Sequence, residues 1–257
     1  MVDWRREARF VGIRVAQSKI KGILSVLLIL LVPVGAWVGD ALYTRAELRR
    51  QAEQQRQAMA ATFNRIYASG RWAKSKAGDG TSGPGSTLEA TREYRAYLGD
   101  FLRKHNVQSV VDAGCGDWSF SSAIDWNHVR YLGVDISTSV IEDVTKRFAR
   151  DNIRFVVDDI SRSLPPADLL LCKDVLQHLP NKQVHDFIEN NLRKGKYKWA
   201  ILTNDFGPGN RDIQAGEHRL LDLAAAPFHV RGLVTLPVKF AGEPTKVAQL
   251  LDLSQGS

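Results

Sequence analysis

Three short apolar runs end, one after another, in carboxylates. The first reads Val110-Val111-Asp112-Ala113-Gly114-Cys115-Gly116-Asp117-Trp118, the second Tyr131-Leu132-Gly133-Val134-Asp135-Ile136, and the third Phe155-Val156-Val157-Asp158-Asp159-Ile160. Gly114 and Gly116 let a chain turn sharply at a strand end and let its backbone approach a ligand closely, as in mononucleotide-binding βα units. A carboxylate about 20 residues beyond such a turn, here Asp135, can accept both hydroxyls of a ribose. Asp158 and Asp159 place a further acid at the same edge of a sheet, the edge where open α/β folds bind ligands. Aspartates that merely cap helices are the plainer reading of each acid taken singly.

These acids need a scaffold that brings successive strand ends together. From Ser109 onward apolar runs alternate with amphipathic segments, the pattern of a parallel sheet covered on both faces. The expected strands are 108–113, 129–135, 153–158, 167–172 and 197–203, with helices near 119–126, 138–150 and 181–193. Two further runs, 228–238 and 246–253, follow each other without a helix and suit a closing antiparallel hairpin. Upstream, Ser86 or Thr87 can cap a helix running through Phe101. The Gly/Ser-rich stretch over 70–87 reads either as a linker into a domain over 88–257 or as a lid over its site.

Taken together, Val-Asp-x-Gly-Cys-Gly-Asp, Gly-Val-Asp-Ile, the acids after the third run, and Asp168-Leu-Leu-Leu-Cys-Lys-Asp174-Val-Leu-Gln-His178-Leu-Pro180 resemble class I S-adenosylmethionine-dependent methyltransferases. The resemblance covers about 86–253. It is strongest to a loosely described bacterial set that shares the Ser82–Ser86 stretch and the Gly116–Trp118 turn. It implies an α/β, Rossmann-like, seven-stranded sheet whose last strand runs antiparallel, and S-adenosyl-L-methionine as cofactor. It also implies that Asp112, Gly114 and Gly116 border the methionine part and Asp135 the ribose. Asp159 would meet the adenine amino group, with Asp158 as the shifted alternative.

Methyl transfer from a sulfonium is an in-line displacement that mainly needs alignment and exclusion of water, and a hydroxyl acceptor needs a base as well. His178, four residues after Asp174, is the first candidate, and the pair stands as the catalytic proposal; a histidine that only orients its loop is the alternative. Asp174, Gln177 and His178 also resemble the stretch that holds a divalent metal in ubiquinone-biosynthesis O-methyltransferases. One carboxylate, an amide and an imidazole make a poor hard-cation site, so no metal is expected. Asn204 and Asp205 read as loop-forming or acceptor-contacting groups. His218 and Arg219 bind an anionic acceptor or form a solvated face, and Trp72, Trp118 and Tyr94 cover the cofactor or pack. An Asn/Asp-Pro-Pro-aromatic signature is absent, which favours oxygen over an exocyclic nitrogen as acceptor. Two other readings compete: a nicotinamide-dependent oxidoreductase, which leaves Asp112 unexplained and meets Ser119 where a third Gly or Ala is expected, and a silent adaptor that keeps the cofactor pocket.

The 257 residues carry a net charge of +7, but residues 1–69 hold 11 Lys/Arg against 5 Asp/Glu and residues 70–257 hold 24 against 23. The basic excess therefore belongs to the N-terminal arm, and no footprint for a nucleic-acid backbone is left on the remainder. A run without charge, Gly22–Val38, reads as a single-pass membrane anchor between a basic tail (1–21) and a helical stalk over 40–69. The larger basic cluster precedes the span and favours a cytoplasmic N-terminus, which would send the catalytic domain across the membrane, whereas the cytosolic source of the cofactor favours that domain on the cytoplasmic face, the reading adopted. A small-molecule or lipid-linked acceptor near the membrane follows from that location. Two cysteines, Cys115 and Cys172, form no CxxC pair and suit a reducing compartment.

Overall fold

A computed structural model describes residues 43–72, 80–193 and 195–254. The expected anchor, Gly22–Val38, lies outside the described residues. Among the described residues no helix is long and apolar enough to cross a membrane. The compact unit carrying the sheet is Arg56–Ser257.

Seven strands form one sheet: β1 (Ser109–Ala113), β2 (Arg130–Asp135), β3 (Ile153–Val157), β4 (Leu169–Lys173), β5 (Trp199–Asp205), β6 (Leu233–Thr235) and β7 (Lys246–Asp252). Their order is β3-β2-β1-β4-β5-β7-β6. β1 to β5 are parallel to one another, while β7 pairs antiparallel with both β5 and β6. The chain winds outward from β1 through β2 to β3, then returns to start β4 on the other side of β1. That reversal opens a crevice beyond the carboxyl ends of β1 and β4, where ligands of open α/β sheets sit.

Helix α1 (43–68) enters the compact unit at Arg56 and is followed by α2 (Arg92–Lys104), α3 (Thr138–Phe148) and α4 (Asn181–Asn191). Because side chains alternate along a strand, the sheet is apolar on both faces. Tyr94 and Leu98 of α2 and Val140 and Val144 of α3 share one core with Val110, Leu169 and Leu171. Met59 and Phe63 of α1 and Val184 and Phe187 of α4 share the other with Val111, Leu170, Cys172 and Leu202.

Three sequence expectations need correction. The helix expected at 119–126 is a single 3₁₀ turn, Ser121–Ala123. Trp118 holds a left-handed φ of 59°, Asp117 captures the Ser119 amide and hydroxyl, and the buried Trp126 donates its indole N–H to the Ser121 carbonyl that a helix would use. Of the 228–238 run only Leu233–Thr235 pairs, because His229 and Gly232 at positive φ and Pro237 confine it. Residues 56–68, read as part of a helical stalk, are helical and pack into the core: Met59, Phe63 and Ile66 are buried. Their i, i+4, i+7 spacing puts all three on one helical face.

Candidate active site

One cavity of about 230 Å³ runs along the carboxyl ends of the parallel strands. At its β2–β3 end stand Asp135 and Asp159. Asp135 is buried, with Oδ1 accepting from the Ser137 amide (2.9 Å) and Oδ2 from the Gly116 amide (3.2 Å). Burial pushes its carboxyl up to about 6 against those hydrogen bonds. Asp159 accepts from the Ser161 amide (2.9 Å) and hydroxyl (2.8 Å) and lines the cavity. Asp158 lies outside the cavity lining and pairs with the exposed Arg162 at 3.2 Å. The structure therefore brings Asp159, and not Asp158, to the cleft.

The glycine turn follows β1. Gly114 has φ 84°, and a Cβ there would collide with the Val175 side chain. The Gly114 and Cys115 amides donate to the Val134 carbonyl at 2.7 and 3.0 Å, which folds the turn over the end of β2. Asp112 sits beneath it and accepts from the Tyr131 hydroxyl at 2.5 Å. Burial raises Asp112 to about 6, with Tyr131 and Lys173 pulling the other way.

At the opposite end three strands supply a denser set of charges. Asp174, just past β4, accepts on Oδ2 from Lys173 Nζ (2.6 Å) and from Lys246 Nζ (2.9 Å), the first residue of β7. Burial pulls the Asp174 carboxyl upward, but the two ammonium groups outweigh it and hold it below the usual range. So paired, it is a poor proton acceptor. His178 donates Nδ1–H to the Glu217 carbonyl at 2.8 Å, and burial lowers its pKa, helped by the nearby His218. The ring is therefore neutral at pH 7 with Nε2 unprotonated. His218 Nε2 meets Asp205 Oδ2 at 2.8 Å; Gln177 Nε2 (3.3 Å) and Thr245 Oγ1 (3.1 Å) also donate to Asp205. The rings of His178 and His218 are 5.6 Å apart.

The roof comes from the segments read as stalk and as linker or lid. Met59, Phe63 and Tyr67 of α1, Trp72, and Ser82–Ser86 all line the cavity. Asp117 accepts from the amides of Thr81 and Ser82 and from the Thr81 hydroxyl, and the Asp117 amide donates to Ser82 Oγ at 2.9 Å. Lys173 donates to the Gly85 carbonyl at 2.8 Å and fixes the far end of the same loop. Tyr94 and Trp118 are buried in the core and lie outside the cavity lining. Arg219 is likewise committed, to Asn181 Oδ1 and the carbonyls of Arg211 and Leu179. Sequence reasoning missed Lys173 and Lys246. Lys173 was visible beside Asp174, whereas nothing local marked Lys246.

A strand order of 3-2-1-4-5-7-6 with an antiparallel β7 is that of class I methyltransferases. Residues 110–195, about a third of the chain, match a family described as a methyltransferase domain. Among solved structures, the methyltransferase domain of bacterial CtHen1 superposes with a TM-score of 0.51 at 16% identity, covering 64% of this chain and 100% of that one. Magnesium protoporphyrin IX methyltransferase from Synechocystis PCC 6803, solved with bound SAH, gives a TM-score of 0.52 at 15% identity, covering 76% and 97%. At these identities the likeness is one of fold. No curated protein matches the sequence. The matched domain and the acid-lined cleft agree on S-adenosylmethionine as the cofactor. The oxidoreductase reading finds no support, because a dinucleotide's pyrophosphate needs the N-terminus of a helix after the glycine turn and only a 3₁₀ turn follows here.

Proposed function

We propose that the protein methylates an oxygen of a small or membrane-proximal acceptor, lipid-linked or glycan-related, with S-adenosylmethionine as donor. The observation that carries this reading is the continuity of one cavity from Asp135 and Asp159 to His178. Asp135 accepts the ribose hydroxyls, Asp159 the adenine amino group, and Gly114 and Gly116 give the backbone close approach. The cofactor supplies an electrophilic methyl on a sulfonium. His178 Nε2, held unprotonated by the Nδ1–H bond to Glu217, takes the proton of an acceptor hydroxyl. Trp72, whose ring lies 5.1 Å from that of His178, and Phe63 exclude water from the same space.

The segment Gly22–Val38 anchors the chain in a membrane in this reading, with the cleft on the cytoplasmic face. Calorimetric titration of the full-length chain with S-adenosylmethionine, S-adenosylhomocysteine and NADH tests the cofactor. Binding of the first two and not the third is expected, followed by transfer of a labelled methyl to a glycolipid fraction. NADH binding, or no binding to folded protein, overturns the reading. Cofactor binding without transfer to any lipid, glycan or small hydroxyl compound favours the silent adaptor.

A further inference from the structure

The Lys173–Asp174–Lys246 cluster has more hydrogen-bonding capacity than it uses. Asp174 spends Oδ2 on both lysines, while its Oδ1 is buried and has no partner. Lys173 donates to Asp174 and to the Gly85 carbonyl, and its ammonium faces the rings of Phe120 (5.1 Å) and Phe240 (5.7 Å). Lys246 makes one hydrogen bond, to Asp174; Glu243 stands at 3.7 Å, beyond hydrogen-bond reach. Its side chain is only 4% exposed and lines the cavity, and its ammonium keeps donor capacity that Asp174 does not use. Buried polar groups left in this state cost free energy until something pairs with them. An unmet acceptor on a carboxylate beside unmet donors on an ammonium is the complement of a zwitterion. A zwitterion meets both with charge-assisted hydrogen bonds, stronger than those a neutral hydroxyl or amide would make.

Position decides which zwitterion. Asp174 follows β4, the strand next to β1 and its glycine turn, whereas Asp205 and His218 lie one strand further out at β5. A ligand with its adenosine over β3 and β2 and its sulfur near the β1 turn puts its remaining atoms over β4. Asp174 itself holds a left-handed φ of 59°, a strained turn that fixes the carboxylate beside the turn. Gly85 closes the far side: a Cβ there would lie 3.1 Å from Asp174 Oδ2 and strike Lys246 Nζ.

We infer that Asp174 and Lys246 receive the amino-acid end of the cofactor, with Asp174 Oδ1 accepting from the α-ammonium and Lys246 Nζ donating to the α-carboxylate. This rests on the proposed S-adenosylmethionine cleft and moves Asp174 from proton chemistry to cofactor binding. Lys173 is then a positioning residue, tying Asp174 to the loop at Gly85.

The test compares two probes on the full-length protein by calorimetry: S-adenosylhomocysteine, which carries the amino-acid end, and 5′-methylthioadenosine, which lacks it. Lys246→Met and Asp174→Asn are each expected to weaken S-adenosylhomocysteine about 10- to 100-fold, the worth of one charge-assisted hydrogen bond, and methylthioadenosine less than about 2-fold. Lys246→Arg keeps the charge and should restore most of the loss. If the wild type binds S-adenosylhomocysteine and the two variants bind it as well, the zwitterion sits elsewhere and the inference falls. It also falls if both probes weaken equally, since the cluster would then only shape the pocket. Failure of the wild type to bind S-adenosylhomocysteine counts against the proposed function itself.

Discussion

The two ends of the cleft hold their carboxylates in different ways. At the β1–β3 end Asp135 is held by backbone amides, that of Ser137 two residues on and that of Gly116 nineteen back, and Asp159 by the amide and hydroxyl of Ser161. Past β4 and β5 the acids are held by side chains. Lys246 reaches Asp174 across 72 residues, and His218 and Thr245 reach Asp205 across 13 and 40. Backbone amides arrive with the turn and cannot be exchanged by substitution, so the first end is fixed by the strand–turn unit itself. Side-chain partners can be exchanged without altering the fold, so the second end is the more adjustable by substitution.

The contrast breaks most visibly at His178. If the β4–β5 end performs the proton transfer, His178→Ala should slow methyl transfer to a hydroxyl acceptor by about 10²–10⁴-fold, the usual worth of a positioned base. S-adenosylhomocysteine affinity should stay within about 2-fold. The wild-type rate should rise with pH through a value below the ordinary histidine pKa, because burial favours the neutral ring and the neutral ring is the active form. Nitrogen NMR at pH 7 should find Nδ1 protonated and Nε2 bare. Transfer undiminished in His178→Ala would leave the ring only a positional part.

The same contrast explains what the sequence disclosed. Asp112, the two glycines, Asp135 and the acids after β3 stood out because strand, turn and acid occupy a few consecutive residues, and the seven-stranded sheet with an antiparallel last strand came with the resemblance those residues carry. The antiparallel β7 was legible as a run with no crossover helix before it. Lys246 was not, because a lysine at a strand start is ordinary until the fold brings it beside Asp174. The part that α1 plays in the roof was not legible, for a different reason. Residues 56–68 have good helix formers throughout, and the short apolar stripe of Met59, Phe63 and Ile66 is hard to separate from an exposed helix without knowing what it covers.

A smaller effect should appear at the other end as a pH dependence. If Asp135 holds the ribose, its ionised carboxylate is the stronger acceptor for both hydroxyls, and that carboxyl is raised to about 6 by burial. S-adenosylhomocysteine affinity is therefore expected to be flat above pH 7.5 and to fall about tenfold by about pH 5, as the carboxylate population falls. Asp135→Ala should weaken binding at high pH and abolish most of this dependence while the protein stays folded. A pH profile unchanged in that variant would place the titrating group elsewhere, with Asp112 next in line because it too is raised to about 6.

The finest distinction lies between two adjacent aspartates. Asp158 accepts from the Asp159 amide at 2.8 Å and pairs with exposed Arg162, both interactions outside the cavity lining. An exposed pair of this kind is worth about 0–1 kcal/mol, so Asp158→Ala should leave cofactor affinity within about 2-fold. Asp159→Ala removes a carboxylate from the lining and should cost about 10-fold. The ratio of the two losses matters more than either alone, because both variants perturb the same turn after β3 and a general loosening would lower affinity in both. Equal losses would mean that the turn shapes the pocket and that neither side chain meets the adenine. A larger loss for Asp158→Ala would require the turn to rearrange on binding, with Arg162 released and Asp158 swung inward. The pair thus measures whether the β1–β3 end is rigid before the cofactor arrives, as its backbone-held acids imply.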